Sequence, residues 1–213
     1  MSNDTEHYTI DRQRYRLILI FFARVIAHFI WWDVVFARLP FIGEQARRTR
    51  PQRYRLLARR FRGLAVMMGG VMIKLGQFLS VRVDVLPPEI TDELKGLQDE
   101  VPPEQPERIF SVLRADLGDL EQRFAEVEQK PLAAASLGQA HRAWLLPDGQ
   151  RDTAVSSNHI PHGESVIVKI RRPNIENTVA TDLAALRIVA RWFMRYRPIR
   201  KRANVPALME EFS

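Results

Sequence analysis

Residues 133–141 read Ala-Ala-Ala-Ser-Leu-Gly-Gln-Ala-His, and residues 166–170 read Val-Ile-Val-Lys-Ile. Small side chains let a backbone approach phosphate oxygens closely, because only hydrogen or methyl stands in the way. A lysine on the strand that follows can neutralise phosphate charge. The pattern predicts a nucleotide-binding β-hairpin. Ala133, Ala134, Ala135, Ser136, Gly138 and Gln139 are its candidate ligand contacts and Lys169 its cation. The side chains of Ser136 and Gln139 can add hydrogen bonds to phosphate. Strand alternation puts Lys169 on the side of Ile167, opposite Val168 and Ile170. An ordinary β-turn and a surface lysine remain the plainer alternatives at these positions.

A second cluster lies upstream. Lys74-Leu75-Gly76-Gln77 is followed by Ser80, Arg82, Asp84, Leu86-Pro87-Pro88, Leu97-Gln98-Asp99 and Pro102-Pro103. Lys74 and Gln77 are three apart and share a helix face. Gly76 admits another backbone at close range, and Arg82 with Asp84 can form an ion pair. The plain alternative for Lys74 is a snorkelling helix lysine. Taken in order with the alanine loop and Val168-Lys169, this set resembles the UbiB/AarF/ADCK-type family of atypical protein-kinase-like proteins, from about Met68 to the C-terminus.

The resemblance implies a fold and a chemistry. The expected fold class is α+β: an N-terminal helical extension plus a protein-kinase-like N-lobe, an antiparallel sheet with a long helix, the C-lobe being absent. It implies ATP or ADP with Mg²⁺ as cofactor, Lys169, Lys74 and Gln77 as catalytic-site residues, and work in ubiquinone or other isoprenoid-lipid biosynthesis at a membrane. The Lys74 helix would cover the cleft where a kinase takes peptide. Alanine in place of a kinase's glycines would restrict positive-φ geometry and limit protein phosphorylation. Helix C glutamates, the catalytic Asp and Asn, and the metal-binding Asp-Phe-Gly segment are expected downstream of Ser213. The chain thus resembles the front third to half of a family member, with weak nucleotide binding, no turnover and no metal site of its own.

Charge is distributed unevenly. Residues 1–62 hold 13 Lys/Arg against 5 Asp/Glu, while residues 63–213 hold 19 against 20. The net +7 therefore belongs to the extension. An anionic membrane surface fits it, or an isoprenoid lipid. Nucleic acid is a poor fit because no aromatic stacking platform accompanies the arginines. There is no cysteine, which excludes disulfides and thiolate metal sites.

Residues 17–36 are apolar enough to suggest a membrane span, which needs about 20 such residues. Arg24, His28 and Asp33 interrupt them, and an ion at the bilayer centre costs about 2.5–3.5 kcal/mol. An interfacial amphipathic helix with Trp31 and Trp32 in the headgroup layer is the expectation, and a helix packed on its own protein is the alternative. No cleavage site follows the apolar run, so a secretory signal is not expected.

The remaining pattern predicts frayed residues 1–16. An arginine-rich helix over 44–62 should bury Leu56, Leu57, Phe61 and Leu64, and a helix should follow over 64–80. Short helices are expected over 89–98 and 106–117, the latter ended by Gly118. Strands are expected over 124–130, 141–146 and 164–170, a surface insertion over 150–163, a long helix over 174–196, a basic hinge at 195–202 and a new helix at Leu208–Phe212. The expected organisation is 1–62 extension, 63–118 helical segment with the Lys-x-Gly-Gln motif, and 119–213 partial N-lobe. The leading expectation is a nucleotide-binding atypical kinase or ATPase fragment, peripheral at the cytoplasmic side of a membrane, with self-association a further expectation. The alternative is a non-enzymatic lipid-binding module.

Overall fold

The computed structural model describes residues 8–40, 42–98, 101–146 and 163–195. All but the last residue of the insertion expected at 150–163, the turn at Pro147-Asp148-Gly149, the hinge beyond Arg195 and the Leu208–Phe212 helix lie outside them. The chain forms two compact units, one of residues up to 100 with those from 176 onward, the other Val101–Ile175. Together they make an α+β protein with one four-stranded antiparallel sheet. The sequence boundary at 62 falls inside a helix, because Phe61 and Ala65 bury the same stripe on either side of it.

The first unit is helical. Asp11 caps α1 (Arg12–Phe29) by accepting from the backbone N–H of Gln13 and Arg14. Of residues 1–16, expected to be frayed, the described part from Tyr8 is held: Thr9 N–H donates to Asn177 and Asp11 N–H to Thr181 on α7 (Ile175–Arg195). After α1 the helix widens into a π-helical segment, Ile30–Val35, then tightens over Phe36–Arg38. The whole stretch Arg12–Arg38 is long and apolar enough to cross a membrane by length and composition. Asp33, one of its polar interruptions, is well partnered. It receives Arg50 at 3.3 Å, Arg53 at 3.6 Å and the Tyr54 hydroxyl at 3.1 Å. Arg53 also lies over the Trp32 ring, 4.7 Å from its centroid. Burial and the nearby Arg53 hold the His28 imidazole below its ordinary value.

The arginine-rich region is two helices, α2 (Ile42–Arg48) and α3 (Arg50–Met68). The buried stripe of α3 is Tyr54, Ala58, Phe61 and Ala65, while Leu56 is exposed. Phe61 of α3 meets Phe21 and Phe22 of α1, each with ring centroids 6.0 Å apart. Residues 64–80 are not one helix. Gly69 and Gly70 both take left-handed backbone, φ 65° and 55°, which ends α3 and starts α4 (Gly70–Ser80) at a new angle. Pro88 opens α5 (Pro88–Leu94) at a first-turn position that needs no N–H. Ile18, Met72, Ile73, Leu94 and Leu97 form the deepest part of this unit's core.

In the second unit α6 (Pro106–Leu117) ends at Gly118, φ 75°. Strands β1 (Phe124–Val127), β2 (Ala133–Ala134), β3 (Gly138–Leu145) and β4 (Ser165–Arg171) follow. Ala140 pairs with Ala133 on one edge of β3 and Lys169 on the other; Ala143 pairs with Val127 and Val166. So β1 and β2 share one edge and β4 takes the other. Ile109 and Leu113 of α6 cover one face through Ile170, Val168 and Val127.

Candidate nucleotide-binding face

The sheet's uncovered face is set by register. Paired residues of antiparallel strands share a face, so Ala133, Ala140 and Lys169 form one row across β2, β3 and β4. Arg142 and Ile167 form the next. Two methyl groups thus lead to the Lys169 ammonium, and Ile167 stands beside it 61% exposed. Among the described residues Lys169 has no ion-pair partner. A flat apolar floor next to a free cation can take a planar ring and the phosphates attached to it.

The alanine loop is a tight turn. Ala135 N–H donates to Gly138 O at 2.8 Å, closing β2 onto β3. No residue of the loop has positive φ, so alanine fits where it stands. Gly138 is required for proximity rather than for φ: a β-carbon there would lie 2.6 Å from Ile170 O.

The structure divides the candidate contacts. Ala133, Ala135, Ser136 and Gly138 line the turn and the open face, with Lys169 across from Ala140. Ala134 and Gln139 point the other way, because Ala134 pairs with Gln139 and Gln139 with Ile170. Gln139 is 4% exposed. Its side chain accepts from Glu104 N–H and donates to His141 Nε2 at 3.1 Å. It therefore has no phosphate-facing group in this conformation. The signal was present in the sequence: Arg142 must point outward, so Gln139, His141 and Ala143 share the inward face.

Lys74 and Gln77 belong to the other unit. Lys74 is exposed on α4, and Gln77 Nε2 donates to Leu97 O at 3.3 Å. Gly76 makes room for side chains, not for a backbone: a β-carbon would meet Leu97 Cδ1 and lie 3.3 Å from Phe61 Cε1. Arg82 holds Asp84 with two hydrogen bonds, 2.9 and 2.8 Å, as its spacing suggests.

Sequence reasoning missed a second set of residues around the hairpin. Arg172 donates to Ala135 O at 3.2 Å, Pro102 O at 2.7 Å and Glu104 Oε2 at 3.3 Å. Arg108 takes the other Glu104 oxygen at 2.7 Å. The contacts span up to 70 positions, beyond the reach of any local spacing rule. Among the described residues no group of three or more histidines or carboxylates could hold a metal ion.

A sheet with an alanine hairpin, a strand lysine and a long following helix defines an atypical kinase-like N-lobe. Residues 96–213 match the ABC1 atypical kinase-like domain, and the chain belongs to that family. It is 42% identical over 125 residues to a probable protein kinase UbiB of Pseudomonas aeruginosa, covering 58% of this chain and 21% of that protein. It is 35% identical over 156 residues to the chloroplastic ACTIVITY OF BC1 COMPLEX KINASE 7 of Arabidopsis thaliana, covering 73% of this chain and 20% of the relative. The matched stretch spans about a fifth of the length of these curated relatives.

Proposed function

We propose that this chain is the nucleotide-cradling front part of an ABC1-family atypical kinase or ATPase acting in ubiquinone or related isoprenoid-lipid biosynthesis. Lys169 would meet the phosphates of ATP or ADP, the turn at Ala135, Ser136 and Gly138 would lie along them, and Ala133, Ala140 and Ile167 would take the base. Mg²⁺ would accompany the nucleotide. Lys74 and Gln77 are the further catalytic-site candidates. The observation that carries this reading is the row Ala133–Ala140–Lys169 on the uncovered face.

The test is thermal melting of the whole chain with and without ADP and Mg²⁺, beside Lys169→Ala. The wild type should gain about 2–4 °C per kcal/mol of ligand stabilisation, and the variant should gain nothing. A shift that survives in Lys169→Ala sinks the assignment of this lysine.

A second reading rests on the apolar stretch from α1 to the start of α2. Leu17, Ile20, Trp31, Val35, Leu39 and Ile42 are all exposed, Trp31 at 56%. With arginines along the same segment, they would suit an anionic membrane surface. Trp31→Asp should weaken co-sedimentation with phosphatidylglycerol-containing vesicles by about tenfold or more, the loss of one buried apolar side chain at about 1.5–3 kcal/mol. Equal binding by the variant would count against an interfacial role for this stretch.

A further inference from the structure

The alanine hairpin is tied from behind by a chain of directional hydrogen bonds. Glu128 O can only accept, so the His141 Nδ1 that meets it at 2.8 Å carries the proton. Glu104 N–H can only donate, so it fixes the Gln139 oxygen and leaves the amide NH₂ to donate to His141 Nε2 at 3.1 Å. The orientation of the Gln139 amide is thus specified by a backbone N–H that cannot reverse its role. From Glu104 the chain passes to Arg172, whose guanidinium reaches Ala135 O in the turn and Pro102 O in the connector. Arg172 N–H also donates to Leu137 O at 3.0 Å. Both side chains of the Arg172–Glu104 pair are 15% exposed, so solvent competes weakly.

Such a clasp fixes the turn from the side opposite the open face. A loop already held in its binding shape loses less freedom when a ligand arrives. We propose that Arg172, Glu104 and Gln139 are positioning residues that hold the alanine hairpin in place before a nucleotide binds. Gln139 then acts through Glu104, not by touching phosphate. The proposal rests on the nucleotide reading above for its ligand, but the clasp has a readout of its own.

Two variants of the whole chain test it. Arg172→Lys keeps the charge but cannot span three acceptors. Gln139→Met keeps the length of the side chain but neither accepts from Glu104 N–H nor donates to His141. Hydrogen exchange at the Ala135 and Arg172 amides reports the turn, and titration with a fluorescent ADP analogue and Mg²⁺ reports binding. Both variants should speed exchange at those amides about tenfold and weaken the analogue about five- to tenfold, with the fold retained by circular dichroism. Unchanged exchange in both variants overturns the proposal, as does faster exchange with unchanged affinity. If the wild type binds no nucleotide, the nucleotide reading fails, and exchange at the two amides alone decides the clasp.

Discussion

Asp182→Ala should destabilise the helical unit by about 3–5 kcal/mol, the usual consequence of removing one partner from a buried ion pair. Asp182 is fully buried on α7, and Arg14 of α1 grips both its oxygens, at 2.6 and 2.7 Å. The same guanidinium donates to Met68 O, the last carbonyl of α3, at 2.7 Å. Alanine would leave a cation in the interior with one acceptor in place of three. The loss falls on several elements at once, because Arg14 joins α1, α7 and the Gly69-Gly70 break. Trp31, Trp32 and Trp192 lie in this unit and Trp144 in the other, so tryptophan fluorescence in a urea titration reads chiefly the helical one. A midpoint unchanged from wild type would refute the expectation.

This pair also has a pH signature. Burial raises the Asp182 carboxyl above its ordinary value, with Arg14 pulling the other way. The folded state takes up this proton at higher pH than the unfolded chain does. The contribution to stability is therefore fullest below the unfolded value and falls as pH rises through the folded one. Asp182→Asn should flatten that part of the pH profile.

The second large effect concerns Gly138. Its missing β-carbon would lie 2.6 Å from Ile170 O and 3.4 Å from Ile170 C, both backbone atoms of β4. A side chain can only be admitted by pushing β4 away from β3 at the root of the hairpin. Gly138→Ala should cost the sheet unit about 1–3 kcal/mol, in the range of overpacking elsewhere, and Gly138→Val more. Lys169 moves with β4, so the nucleotide-dependent thermal shift should vanish with it. Gly63→Ala is the control: nothing lies within 4 Å of its new β-carbon, and in a helix alanine is favoured by about 1 kcal/mol. If Gly138→Ala melts like wild type, the close approach is not what fixes this residue.

Much of the sheet was legible because strand alternation is strict. Val166, Val168 and Ile170 had to share a face, and Lys169 had to oppose them. Gly118 as a helix stop and the Arg82–Asp84 pair were also readable, since both are local. Gln139 was expected at the phosphates from its type, while its position, two residues before His141, turns its side chain inward. Arg14 with Asp182 lie 168 positions apart and Arg172 with Glu104 lie 68 apart. Nothing local distinguishes either pair from solvated charges. The single helix expected over 64–80 failed at Gly69-Gly70, where two adjacent glycines both adopt positive φ.

The pairing of Asp33 with Arg50, Arg53 and Tyr54 also has an order in time. Synthesis runs from the N-terminus, so Asp33 leaves the ribosome before those three partners exist. They follow by about 20 residues, which at about 5–20 residues per second is a delay of roughly one to four seconds. During that interval the most apolar stretch of the chain carries an uncompensated carboxylate. Whatever the segment meets in that interval it meets with the charge bare, and α3 masks it only afterwards.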